Sequence, residues 1–195
     1  MARLERKRAV GILGGTFDPV HLGHLMLAES ARVEFRLDHV LFVPAYAPPH
    51  KHRPDITAAD IRCRMLELAV AGNRAFSVCR LELERKTVAY SVETVRQLTQ
   101  RYPRVVFYFI VGSDAVPDLG TWKRFDELRA ICRFVIACRP QFASEGFPAG
   151  ALPLRGGMLD ISSSEIRENI RNGRAVRYHV PEPVYRFLCR HRLYR

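Results

Sequence analysis

Short apolar runs of strand length alternate with helix-period segments along most of this chain. The strand-like runs lie at residues 9–13, 39–43, 76–79, 105–111 and 134–137. The fourth reads Val-Val-Phe-Tyr-Phe-Ile-Val, β-branched and aromatic without alternation, as a parallel strand buried on both faces requires. Helix-period segments fall between them at 24–35, 58–71, 91–101 and 125–130, and two more close the chain at 163–172 and 183–191. This alternation predicts an α/β fold, a Rossmann-like doubly wound parallel sheet in a single domain with C-terminal helices. Local signals support the boundaries: Thr57 and Asp60 as cap and first-turn acid, Gly173 as a C′ stop, Pro183 as a first-turn proline. The stretches 44–54 and 139–153 carry no period and read as long loops, a type that is usually functional.

With 195 residues, 48% of them hydrophobic, the chain is long enough for one buried core. It divides into a basic N-terminal extension, 1–8, and one domain, 9–195. The longest apolar run is too short to cross a bilayer, and the first residues lack the apolar segment of a secretory signal. Five cysteines with no C-x-x-C pair point to a reduced, cytoplasmic protein.

The formal charge of +11 favours a polyanionic partner, either nucleic acid or a multiply phosphorylated small molecule. Only Lys7, Lys51, Lys86 and Lys123 are lysines; the rest of the basic residues are arginines scattered along the chain. That bias reads as composition rather than as a surface. Residues 162–195 are denser, with eight arginines against three glutamates. Charge does not choose between the partners.

The candidate chemistry does. The first strand runs directly into Gly14-Gly15-Thr16-Phe17-Asp18-Pro19-Val20-His21-Leu22-Gly23-His24 and then a helix. In an open α/β sheet such a loop lies where ligands bind, and paired glycines let backbone N–H groups approach an anion. No Gly-Lys-Ser/Thr follows, so it is not a P-loop, and the third glycine of a dinucleotide fingerprint is missing. His21 and His24, three apart at a helix start, can face one phosphate, whereas no third residue at ligand-like spacing supports a metal pair. Near the other end, Ile161-Ser162-Ser163-Ser164-Glu165-Ile166-Arg167 contains a capping box, Ser162 with Glu165. The extra serines and Arg167 exceed what a cap needs and suggest a second phosphate cradle.

Together these motifs resemble the nucleotidyltransferase superfamily that carries a Gly-x-Phe-Asp-Pro-x-His-x-Gly-His loop and a late Ile-Ser-Ser-x-x-Ile-Arg motif. Within it, the chain is most similar to the bacterial nicotinate-nucleotide adenylyltransferases. The likeness runs from Gly11 to Tyr194 and includes Pro48-Pro49-His50-Lys51, Ala89-Tyr90-Ser91, Gly112-Ser113-Asp114 and Trp122. It implies adenylyl transfer from ATP to nicotinate mononucleotide, giving nicotinate adenine dinucleotide and pyrophosphate in NAD biosynthesis. His21 and His24 would be the catalytic pair. Gly14, Gly15, Thr16, Phe17, Gly112, Asp114, Ser162, Ser163 and Arg167 would bind ATP. Lys51, Tyr90, Ser91, Trp122 and Arg139 would bind the acceptor. Mg²⁺ would come with the ATP phosphates, without a protein metal site. Partners would be these two nucleotides, with no nucleic acid or membrane, in a monomer or small homo-oligomer. Many relatives read Ser-Tyr-Thr where this chain has Ala89-Tyr90-Ser91, and Lys86-Thr87 replaces a glycine turn often found before it. Alternatives are another adenylyltransferase, with a phosphopantetheine or nicotinamide mononucleotide acceptor, or a non-catalytic basic nucleic-acid-binding α/β protein.

Overall fold

Six strands form one sheet: β1 (Ala9–Gly15), β2 (His39–Pro44), β3 (Phe76–Val78), β4 (Val106–Gly112), β5 (Arg133–Cys138) and β6 (Leu152–Arg155). Their order is β3-β2-β1-β4-β5-β6, and every pairing is parallel. The computed structural model describes residues 4–47, 55–88, 90–138, 147–156 and 159–195, without the side chains of Asp114 and Cys138. The chain runs outward from β1 in one direction and then, from β4, in the other. The order therefore reverses between β1 and β4, and a crevice opens there at the carboxyl ends.

The helices are α1 (Leu22–Glu34), α2 (Ala59–Val70), α3 (Leu81–Arg85), α4 (Ser91–Arg101), α5 (Phe125–Ile131), α6 (Ser163–Arg171) and α7 (Glu182–Arg190). They cover both faces because each inner strand is apolar on both. From β1, Leu13 joins one core with Leu27 of α1, Leu66 of α2, Ile166 of α6 and Val184 of α7. Val10 and Ile12 join the other with Leu81 of α3, Val95 of α4 and Leu128 of α5. Gly11 lies on the crowded first face, where a Cβ would come within 3.0 Å of Ile110 and Leu37 side-chain carbons. Leu4 is buried in the second core, so part of the basic extension packs against the sheet.

Three elements differ from the sequence expectation. The stretch 139–153 is not all loop, since β6 begins at Leu152. Its four residues include Pro153, which cannot donate to a ladder and is tolerated because β6 is an edge strand. α3 was masked by the strict apolar–polar alternation of Leu81-Glu82-Leu83-Glu84, which mimics a strand. The 3₁₀ helix Ser113–Thr121 was unexpected because it holds Pro117 and a glycine.

The caps also divide. α2 is capped by Ala58 without a side-chain bond, so Thr57 is not its cap; the Thr57 carbonyl instead accepts from Arg62 at 2.8 Å. α6 ends as expected, with Gly173 at φ 68 and the 6→1 bond from Arg174 N–H to the Asn169 carbonyl at 2.7 Å. Lys86 ends α3 at φ 53, so the lysine that replaces a glycine turn still adopts the left-handed conformation glycine favours.

Candidate active site

The loop between β1 and α1 lies at the strand-order reversal, as the glycine-rich motif predicts. Phe17 at φ 51 turns its ring into the core, 1% exposed, where it packs on Gly15 and edge-on to His24. A Cβ on Gly15 would stand 3.0–3.2 Å from that ring, so the second glycine makes room for Phe17. Phe17 is thus a buried support of the loop after β1.

His21 is the N-cap of α1 and His24 its third residue. The rings stack with centroids 3.6 Å apart. The His21 backbone N–H donates to His24 Nδ1 at 3.2 Å. Because Nδ1 accepts, the neutral His24 ring carries its proton on Nε2 and presents a donor there. His21 is 6% exposed, and burial, with His179 beside it, pushes its pKa down to about 4. At neutral pH the His21 ring is therefore uncharged. Its Nδ1 is buried against the first turn of α1, where it faces the His24 backbone in a capping box without a bond of good geometry. Gly23 allows this packing, since a Cβ there would lie 3.0 Å from His21 Nδ1.

The serine-rich start of α6 closes on the same loop. Ser162 Oγ accepts from the Glu165 N–H at 3.1 Å, the expected cap. Ser163 Oγ donates to the Pro19 carbonyl at 2.9 Å, and Ser164 Oγ accepts from Arg167 Nη2 at 3.1 Å. Arg167 is buried and donates through Nη1 to the Asp18 carbonyl at 2.6 Å. Its guanidinium faces the loop, which leaves Nε as its unpartnered donor.

A cavity of about 540 Å³ joins these parts. Gly14, Gly15, Thr16, His21 and His24 line it together with Ser162, Ser163 and Gly112. Tyr90, Ser91 and Trp122 line the same cavity. Ser91 opens α4, and Trp122 meets Phe109 edge-on at 6.0 Å. Lys51 and Arg139 lie outside the described residues, as does the side chain of Asp114.

Sequence reasoning missed several neighbours. Lys123 Nζ lies 3.9 Å above the Tyr90 ring and 3.4 Å from Glu93. Glu82 lines the cavity, buried, and accepts from Thr94 at 2.7 Å; burial raises its pKa. Arg62 and Tyr194 reach the loop from α2 and the chain's end, across separations no local pattern reveals. Among the described residues, no three or more His, Cys, Asp or Glu side chains gather to hold a metal.

Residues 12–169 match the cytidylyltransferase-like family model. A probable nicotinate-nucleotide adenylyltransferase of Exiguobacterium sibiricum is 40% identical, over 95% of this chain and 98% of that one. Its counterpart in Geobacter sulfurreducens is 41% identical over 94% and 97%. The solved structure of Plasmodium falciparum nicotinic acid mononucleotide adenylyltransferase complexed with NaAD superimposes with a TM-score of 0.79 at 20% identity, covering 96% and 97%, and shares the fold. The chain belongs to the nicotinate-nucleotide adenylyltransferases, within the cytidylyltransferase-like family.

Proposed function

We propose that this protein transfers the adenylyl group of ATP to nicotinate mononucleotide, forming nicotinate adenine dinucleotide and releasing pyrophosphate for NAD synthesis. The observation that carries this reading is a single cavity lined by both the histidine-bearing loop and Tyr90, Ser91 and Trp122. The acceptor phosphate is already an anion, so no protein nucleophile is required. It attacks the α-phosphorus in line, the bond to the β-phosphate oxygen breaks, and pyrophosphate leaves with the electron pair. The protein's task is to position the reactants and stabilise charge on the phosphate oxygens.

His24, its proton on Nε2, donates to those oxygens, and the neutral His21 offers a second hydrogen-bonding edge. The N-terminal N–H groups of α6, with Ser162 and Ser163, take the leaving phosphates. Arg167 supports them chiefly by holding the Asp18 carbonyl. The two glycines let the β1 loop approach ATP, while Gly112 and Asp114 meet the adenosine ribose. Mg²⁺ would arrive on the triphosphate and offset its charge, as the described residues offer no three-sided cage. At the acceptor end Trp122 stacks on the pyridine ring, with Lys51 and Arg139 near the mononucleotide. The first N–H groups of α4, from Ser91, donate to the ring carboxylate, and Lys123 adds a cation nearby. An amide would turn its NH₂ toward one of these donors. A cytoplasmic setting fits nucleotide substrates, and no described helix is long and apolar enough to cross a membrane.

Pyrophosphate release with ATP and a panel of nicotinate mononucleotide, nicotinamide mononucleotide and phosphopantetheine tests the reading. One stranded buried donor costs about 1–3 kcal/mol, so kcat/KM for the nicotinate acceptor is expected to lead by roughly tenfold or more. Comparable values for the two pyridine acceptors would remove the carboxylate claim, and preference for phosphopantetheine would replace the acceptor altogether.

A further inference from the structure

Arg62 of α2 is 1% exposed, yet its guanidinium makes four hydrogen bonds to main-chain carbonyls. Nη1 donates to Thr16 at 2.6 Å, on the loop after β1. Nη2 donates to Ala45 at 2.7 Å and Tyr46 at 3.1 Å, on the segment after β2. Nε donates to Thr57 at 2.8 Å. One rigid fork thus joins the nucleotide loop to the strand end on its flank, which Ala45 N–H also joins by donating to the Gly15 carbonyl at 2.9 Å. Thr16 and Ala45 both line the cavity.

The charge of Arg62 is balanced from within the same knot by Asp18, with the Tyr194 phenol beside them. Asp18 is 1% exposed and accepts from the Tyr194 hydroxyl at 2.7 Å, across 176 residues of sequence. Tyr194 is the penultimate residue, held at φ 65, a left-handed conformation that a bulky side chain keeps only where its surroundings impose it. The phenol is also hydrogen-bonded to Thr57, next to the Arg62 contact. Asp18 stands three residues before His21, and its own carbonyl is held by Arg167. The carboxylate, the phenol and the Arg62 guanidinium do not form the cavity wall. The guanidinium bonds the main chain of residues that do.

We propose that Tyr194 and Arg62 are positioning residues for adenylyl transfer: acting through Asp18 and the carbonyls of Thr16, Ala45 and Tyr46, they hold the histidine-bearing loop in register with the adjoining strand end. This rests on the adenylyl-transfer reading above. Because stabilisation of a reacting phosphate depends steeply on donor placement, small loop shifts should appear in turnover rather than in substrate binding.

The test is Tyr194→Phe, which removes one hydroxyl and keeps the ring. Turnover, both KM values and thermal melting are measured, with circular dichroism verifying the fold at assay temperature. The expected result is a kcat lower by about tenfold or more, with KM for either nucleotide changed by no more than about threefold and melting shifted only slightly. A purely structural contact would lower the melting temperature and leave kcat of the folded enzyme unchanged. A kcat within about twofold of wild type, or a loss confined to KM, would overturn the proposal. Arg62→Lys keeps the charge opposite Asp18 but loses the fork, and the same kcat-selective loss is expected; should it fail to fold, Tyr194→Phe decides alone. The ratio is read on whichever panel acceptor the wild type turns over fastest. A wrong acceptor would then sink the substrate reading and leave this comparison intact.

Discussion

The imidazole rings of His21 and His24 lie stacked at 3.6 Å, joined through the His21 backbone N–H to His24 Nδ1 at 3.2 Å. The second histidine thereby has two separable tasks. Its Nδ1 caps the first turn of α1, and its ring lines the cavity, where the proposed mechanism uses Nε2 as a donor.

His24→Asn separates them. The asparagine carbonyl can stand where Nδ1 does and accept the His21 N–H, but nothing replaces the Nε2 donor. Losing one donor to a developing oxyanion costs roughly 10²–10³ in kcat, so turnover falls by that order while melting moves little. Steady-state pyrophosphate release and a thermal melt check both halves. Near-normal turnover would remove His24 from the mechanism.

Gly23→Ala sets two effects against each other. Alanine in a helix is ordinarily better than glycine by about 0.5–1 kcal/mol. Here the new methyl would meet His21 Nδ1 at 3.0 Å, and the ring must move. If His21 acts as proposed, displacing its ring should lower kcat about tenfold or more, with little change in melting. Full activity would show that the His21 ring position is not required.

Stability should fall on mild acidification. His21 has its pKa at about 4 against an ordinary value of 6.5, with burial the larger cause and His179 the smaller. The unfolded chain takes up a proton first. The stabilising difference is therefore complete above pH 6.5 and is lost as pH falls towards 4. It amounts to something on the order of 3 kcal/mol for this group, and buried His39 adds in the same direction. Urea unfolding at several pH values should show the loss, and His21→Gln should flatten it. An unchanged slope would mean that His21 does not carry the effect.

The parallel α/β architecture was legible because strand-length runs apolar on both faces cannot be solvated, and only helices on both sides bury them. The β1 loop and the α6 start were legible too, since glycine pairs, helix caps and i, i+3 histidines act over a few residues. The short elements were not. α3 alternates like a strand, and β6 carries a proline that only an edge position excuses. Nor could any local rule divide the roles within the late motif, where Arg167 turns its guanidinium to the Asp18 carbonyl and Ser163 bonds Pro19. The sequence by itself determined the class of fold and the glycine-rich loop that lines the cavity, because both depend on short-range periodicity and backbone permission. The tertiary structure alone decided that His21 is neutral, that Arg62 joins two strand ends and that Tyr194 reaches Asp18. Burial and hydrogen bonds between residues tens to hundreds of positions apart exist only once the chain has closed on itself.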